Sequence, residues 1–268
     1  MQVELGGASG ESGRARPLAA VRPLTVDGLE LCFGPVHAIF ELTFSVERGC
    51  VVGLIGPNGC GKTSTLRAVT GLLRPAAGRV RVCGSPPDRP AARRQFAYVP
   101  DEPDGLDELC VDEYLRLVRA LYRAESGFER RAHALLRAFS LETRGRIRLR
   151  ALSHGQRRAT AIVAALSLAR PLLVVDEATA ALDPEAAAVL REALRAAAAA
   201  GSGVLVATQE LAFAERVCDD IVLLSAGRAV AAGALRTLTR ARSLEEVFLD
   251  AVGARARLAQ VQDGLEAL

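Results

Sequence analysis

The sequence predicts an α/β fold: a parallel-sheet core with an antiparallel β lobe and an α-helical subdomain. Three observations carry that expectation. First, Val51–Ile55, Leu172–Val175, Val204–Thr208 and Ile221–Leu224 are almost continuously apolar, as strands buried on both faces of a parallel sheet must be. Second, helical stretches lie between such runs, which is the alternation a parallel sheet requires. Third, the first run stops in a glycine-rich loop that opens a helix.

Taken in order, residues 1–22 are rich in Gly, Ser, Ala and Arg without hydrophobic period and read as a disordered extension. Leu24–Leu31, Leu42–Val46 and Arg79–Val82 alternate as strands of the antiparallel lobe. A helix is expected from Lys62 to Leu72, ending near Gly71 or Pro75. Phe96–Val99 reads as a strand broken by Pro100. The amphipathic segments Val111–Tyr122 and Phe128–Phe139 then build a helical subdomain over about 101–165. Leu152–Ala169 and the Ala-rich Pro184–Ala200 read as further helices. Residues 23–250 thus form one domain, and 251–268 a tail with a short helix beyond Val252.

Composition narrows the function classes. A net charge of +3, evenly spread, gives no electrostatic footprint for nucleic acid. No uncharged stretch reaches the ~20 residues of a membrane span, and Glu4 and Glu11 interrupt any signal-peptide core. The six cysteines form no CxxC pair, which suits a reducing compartment and argues against a disulfide framework or zinc. Lys62 is the only lysine among 34 basic residues, and Asn58 is the only asparagine. A chain so biased toward arginine keeps one lysine where a compact ammonium on a flexible stem is needed.

That lysine lies in Gly56-Pro57-Asn58-Gly59-Cys60-Gly61-Lys62-Thr63, which fits the P-loop pattern and sits between strand and helix as the mechanism demands. Glycines let successive N–H groups turn toward phosphate oxygens, and the helix N-terminus adds its dipole. The segment through Ser64 is therefore the expected ATP-binding loop, with Lys62 on the β- and γ-phosphates and the Thr63 hydroxyl on Mg²⁺. Cys60 lies near that positive helix end, which would favour thiolate, or it simply fills a small-residue position. Leu172–Val175 ends in Asp176-Glu177: one carboxylate suits Mg²⁺, the next a general base for attacking water. Alone, such a pair is equally a strand end with a solvated turn.

With Leu152-Ser153-His154-Gly155-Gln156 just before that strand, the sequence from about Leu24 to Leu249 resembles the nucleotide-binding domain of ABC transporters, whose signature reads Leu-Ser-Gly-Gly-Gln. Gly227-Arg228 and Leu244–Leu249 look similar to exporters of the ABC-2 kind. The resemblance implies a P-loop NTPase with a RecA-like core, paired head to tail with a second ATP-binding subunit, as a homodimer or heterodimer. Ser153, Gly155 and Gln156 would then line the partner's nucleotide, Phe33 would stack on adenine, and Ala181-Leu182-Asp183 would touch the partner. It further implies an ATPase on the cytoplasmic face of the membrane, held there by a separate transmembrane permease subunit. The expected permease contact is the groove between Asp101 and Tyr122. The acidic loop there (Asp101, Glu102, Asp104, Asp107, Glu108) is either merely solvated or a socket for a basic coupling helix.

Three positions depart from the family pattern. His154 replaces the first signature glycine. Asp101 stands where the Q-loop glutamine is usual and could still reach Mg²⁺ or its water. Gln209 replaces the switch histidine at the γ-phosphate: its amide can donate but cannot carry charge. The expectation is slow hydrolysis with Glu177 as base and Gln209 as the liability. The alternative is an ATP-dependent clamp or regulatory module that scarcely hydrolyses.

Overall fold

A computed structural model describes residues 21–102 and 106–254; the tail beyond Ala254, Asp104 and nearly all of the expected extension lie outside them. Along the chain, β1 (Leu24–Phe33) and β2 (Val36–Val46) make a hairpin, β3 (Val51–Ile55) and α1 (Lys62–Val69) flank the glycine-rich loop, and β4 (Ala77–Val82) follows. One turn, α2 (Pro90–Arg93), and β5 (Phe96–Val99) lead to α3 (Val111–Leu121), α4 (Phe128–Ala138) and α5 (His154–Ser167). Next come β6 (Leu172–Val175), α6 (Pro184–Ala199), β7 (Gly203–Thr208) and α7 (Leu211–Val217). β8 (Asp220–Ser225), β9 (Arg228–Ala234), α8 (Leu235–Leu238) and α9 (Leu244–Ala251) complete the described chain.

Two sheets result. One is three-stranded and antiparallel, in the order β2-β1-β4. The other has the order β5-β6-β7-β3-β8-β9 and is parallel except for β9, which runs against β8. The alternating pleat divides the parallel strands between two cores. Val51, Ile55, Val175 and Val206 face the helices α3 to α7 and α9. Val52, Leu54, Val174 and Leu205 face α1 and the antiparallel sheet. Covered on both faces, these strands have no polar side to show, which accounts for the unbroken apolar runs.

The differences from expectation are local. In β1 the buried positions are Leu24, Val26, Leu29 and Leu31, and the skipped beat is a register shift where Gly28 N–H donates to Thr43 Oγ1 at 2.8 Å. The first helix stops at Val69, three residues early, because Leu72 and Leu73 both turn their N–H groups onto the Arg67 carbonyl. The helix expected from Leu152 starts at His154. Ser153 caps it: Gln156 N–H donates to Ser153 Oγ and Ser153 N–H to Gln156 Oε1, each at 3.2 Å. β9 and the seven-residue α7 were not anticipated from the sequence. The first is an edge strand of small residues, and the second is too short to show a period.

Because β3, β5, β6, β7 and β8 are parallel, their C-terminal ends share one edge of the sheet. The glycine-rich loop, Pro100-Asp101, Asp176-Glu177, Gln209 and Ala226-Gly227 all leave from that edge. In open α/β sheets this is where ligands bind. Among the described residues, no helix is long and apolar enough to cross a membrane, and no group of His, Cys, Asp or Glu could hold a metal unaided.

Candidate nucleotide-binding site

The loop from Gly56 to Gly61 leaves β3 and delivers Lys62 and Thr63 to the first turn of α1. Gly61 has φ +108°, and a Cβ there would meet Ile39 Cδ1 at 2.3 Å, so the turn into the helix tolerates no side chain. Lys62 is 4 % exposed. Its ammonium donates to the carbonyls of Gly56 (2.9 Å) and Pro57 (3.3 Å) and pairs with Glu177 Oε1 at 3.0 Å. These groups border a cavity of about 720 Å³ lined by Asn58, Gly59, Gly61, Lys62, Thr63, Ser64, Asp101 and Glu177. Across the cavity stand Val36, His37 and Ala38 of β2 with Ala226 and Gly227. The β2 residues carried no sequence signal beyond the apolar Val36, which is 60 % exposed.

Asp176 ends β6 fully buried, with no hydrogen-bond partner on either carboxylate oxygen. Burial pushes its carboxyl up from the ordinary value; the Thr63 hydroxyl beside it pulls the other way, while the charges of Glu177 and Asp101 add to the rise. A fully buried carboxylate whose near donor is a single hydroxyl, that of Thr63, is a poor protein interior and a good hard-cation ligand set. Glu177 follows at φ +41°, uncommon for a side chain with a Cβ and typical of strain held at functional sites.

The strain is held by a residue that sequence reasoning missed. Arg158, on α5, is fully buried. One end of its guanidinium donates to the carbonyls of Pro100 (2.8 Å) and Asp101 (2.6 Å). The other donates to the carbonyls of Asp176 and, at 2.7 Å, Glu177. In the sequence Arg157-Arg158 looks like a solvated pair. The available signal was the stretch from Ala159 to Ala165, too apolar all round for a surface helix, so one arginine had to be inside.

The other expected site residues lie apart from the cavity. Ser153 and Gln156 cap α5, and a Cβ on Gly155 would come within 2.5 Å of the Ala181 carbonyl, so the signature turn packs on the loop after Glu177. Gln209 is exposed just beyond β7; beside it, Thr179 Oγ1 donates to Glu210 Oε2 at 2.6 Å. Phe33 is 46 % exposed where the hairpin turns, paired with Val36. Of the two readings of Cys60, the structure supports a buried small residue over a thiolate: its side chain is 4 % exposed, burial raises its pKa, and the opposing Lys62 charge does not offset this. Cys60 N–H also turns inward, donating to the Pro57 carbonyl at 3.3 Å.

A strand-loop-helix cradle for phosphate, facing an acidic strand end across a parallel sheet, places the chain in the class of P-loop nucleotide-binding domains. The family model described as ABC transporter matches residues 39–180, just over half of the chain. The Nod factor export ATP-binding protein I of Cupriavidus pinatubonensis is 39 % identical over 205 residues, covering 75 % of this chain and 63 % of that protein. The ABC-type transporter ATP-binding protein EcsA of Bacillus subtilis is 34 % identical over 213 residues, 78 % of this chain and 86 % of that protein. A solved ATP-binding subunit of an ABC transporter superposes with TM-score 0.81 at 38 % identity, covering 85 % of this chain and 99 % of that one. The chain belongs to the ABC transporter family, as an ATP-binding subunit. It spans slightly under two thirds of the length of the Cupriavidus relative.

Proposed function

We propose that this chain binds and hydrolyses Mg-ATP, pairs with a second ATP-binding subunit, and drives a separate transmembrane permease from the cytoplasmic face of the membrane. One observation carries the reading: Lys62 and Glu177 pair at the wall of one cavity of about 720 Å³, with the buried Asp176 adjoining its lining residue Thr63. Lys62 would turn from the Gly56 and Pro57 carbonyls onto the β- and γ-phosphates. The orphaned carboxylate of Asp176 and the Thr63 hydroxyl fit Mg²⁺, with Asp101 at the cavity rim able to reach its water shell. Bound there, the metal would neutralise charge on the phosphates. Glu177, released by Lys62 and held by its carbonyl, would take the proton of the attacking water. With these groups intact, hydrolysis is favoured over the passive clamp.

The second subunit is inferred from what the cavity lacks. Ser153, Gly155 and Gln156 do not line it, so a signature turn built to approach phosphate is left without a nucleotide unless another chain supplies one. The permease contact is inferred from a groove of about 490 Å³ where the helical subdomain meets the core, with Leu72 and Leu121 about 70 % exposed on its rim. Its lining is apolar and basic, including Phe96, Tyr98, Arg93 and Arg94. Of the two readings of the acidic loop, this groove favours the solvated one over a socket for a basic helix. Glu108 is spent on Arg148 and Arg150, and Asp101 faces the nucleotide cavity. Export is the favoured direction, since the Cupriavidus relative is named as an export protein.

The test is phosphate release from Mg-ATP against protein concentration, for the wild type beside Glu177→Gln. Specific activity that rises with concentration and vanishes in the variant supports a dimeric ATPase with Glu177 as base. Activity equal to the variant's at every concentration would show that the site is not complete in two copies of this chain.

A further inference from the structure

We infer that Arg158 is a positioning residue for hydrolysis: it fixes Glu177 and Asp101 relative to each other and ties both to the first turn of the signature helix. The inference rests on the proposed role of Glu177 and deepens it. Three observations support it.

The first is geometric. The two arms of the guanidinium divide between two loops, one on the Pro100 and Asp101 carbonyls and the other on the Asp176 and Glu177 carbonyls. β5 and β6 are neighbours that pair Val99 with Val175, so the two loops leave the sheet side by side. Within the sheet a ladder keeps the strands in register. Past its end only Asp176 N–H, donating to the Val99 carbonyl at 2.9 Å, continues the backbone pairing. Beyond that bond, among the described residues, Arg158 joins the two loops. A planar fork with several donors can span both, whereas a single ammonium cannot.

The second is conformational. Glu177 sits at φ +41°, a region that persists only where the surroundings impose it. Its carbonyl is held by Arg158, so the arginine supports the strained residue whose carboxylate faces Lys62.

The third is the cost of the arrangement. Arg158 is fully buried and its Nε has no partner. A core that needed only to be filled would be served better by an apolar side chain. The position along the helix adds purpose: Arg158 lies two residues after Gln156, whose side chain closes the cap on Ser153. Any displacement of that turn is passed to the carbonyls of Asp101 and Glu177.

The experiment compares wild type, Arg158→Lys, Glu177→Gln and the double variant. Thermal unfolding, binding of a fluorescent ATP analogue with Mg²⁺, and single-site turnover are measured for each. Arg158→Lys is expected to unfold cooperatively, to bind nucleotide within about threefold of wild type, and to lose at least about tenfold in kcat. Added to Glu177→Gln, it should lower the residual turnover less than twofold, because both changes act on the same group. Turnover of Arg158→Lys within twofold of wild type overturns the inference. So does an equal loss in binding and turnover, or a full multiplicative loss in the double variant. If Arg158→Lys does not fold, Arg158→Gln is measured on the same terms, and failure of both assigns the residue a purely structural role. If Glu177→Gln itself hydrolyses like wild type, the proposed base is wrong, an outcome separate from these.

Discussion

The ammonium of Lys62 stands 3.0 Å from Glu177 Oε1, so the residue expected to grip phosphate and the residue expected to activate water hold each other. Both are largely shielded from solvent, with Lys62 4 % exposed and Glu177 18 %. Nucleotide must therefore break this pair before either side chain can work. Replacing Glu177 by Gln keeps the shape but removes the charge that competes for Lys62. Mg-ATP should then bind as tightly as in the wild type or up to about tenfold tighter, while phosphate release falls by roughly 10²–10⁴-fold, the usual worth of a general base. Fluorescent-nucleotide titration and phosphate release read the two effects separately. Weaker binding in Glu177→Gln would mean that the pair orders the loop rather than competing with substrate.

Asp176 gives a pH-dependent prediction. Burial raises its folded pKa above the ordinary 3.8, against the influence of Thr63 and Lys62. The native state therefore holds this proton more firmly than the unfolded chain. Its contribution to stability is fully favourable below 3.8 and is lost as pH rises through the raised value. Asp176→Asn mimics the protonated form. In metal-free buffer near neutrality it should melt higher than wild type by roughly 2–4 °C, the shift that about 1 kcal/mol makes in a chain of this size. The gap should close as pH falls through the window. Mg-ATP should then stabilise the wild type and not the variant. A lower melting temperature for Asp176→Asn at neutral pH would show that the carboxylate has a partner after all.

The sequence leaves Cys60 either activated by the helix end or filling a small-residue position, and its burial supports the second. Its thiol is buried, and Sγ would lie 2.7 Å from a Cβ on Gly56. Maleimide should label the exposed Cys32 first and Cys60 only on the timescale of local opening. Cys60→Ser should bind nucleotide within about twofold of wild type, because the loop contributes backbone rather than side chain at this position. Rapid labelling of Cys60, prevented by ATP, would show an activated thiol in the phosphate loop instead.

What could be read in advance follows from how local each signal is. Lys62, Asp176 and Glu177 sit in short motifs whose chemistry is written within a few residues, and the sheet edge brings them together as expected. The buried strands were legible because two-sided burial leaves uninterrupted apolar runs. Arg158 was not legible, since its partners are carbonyls 18 to 58 residues away and a carbonyl has no letter in the sequence. His37 was missed for a related reason: β2 reaches the cavity through tertiary contacts, packing Ile39 on Gly61 and donating Phe40 N–H to the Gly227 carbonyl. The acidic loop stays open between two readings in the sequence because charge can be counted there, whereas the pairing of Glu108 with Arg148 and Arg150 cannot.

Gly155 makes a prediction about the signature turn. A Cβ there would stand 2.5 Å from the Ala181 carbonyl, itself in a loop where Ala181 takes φ +61°. Gly155→Ala should push the first turn of α5 away from the loop that follows Glu177. Nucleotide binding by the isolated chain should stay within about threefold of wild type, because Gly155 does not line the cavity. If Gly155 serves the proposed pairing, concentration-dependent turnover should fall by at least about tenfold. His154→Gly, which adds no atoms beside the loop, should leave both within about threefold. Loss of binding in Gly155→Ala would place its role in the chain's own site.

Gln209 is the departure with the most direct chemical consequence. It lies just beyond β7, exposed and outside the described cavity, so the proposed contact with γ-phosphate requires it to move inward. Its neighbours are tethered: Glu210 N–H donates to Thr208 Oγ1 at 3.0 Å, and the Glu210 carboxylate accepts from Thr179 Oγ1 at 2.6 Å. Thr179 lies two residues after Glu177, so a shift of the Gln209 turn and a shift of the loop after the base are mechanically linked. An amide at this position can donate to a γ-phosphate oxygen but adds no charge to offset what develops in the transition state. Imidazolium would add it. Gln209→His should raise kcat by about 2- to 10-fold with nucleotide affinity nearly unchanged, and the gain should fade as pH rises through about 6.5, where imidazole loses its proton. A pH–rate profile of the variant beside the wild type decides the matter. No gain at any pH, or a fall, would mean that the tether through Glu210 and Thr179 is built around the amide, and that slow turnover is a set property of this chain.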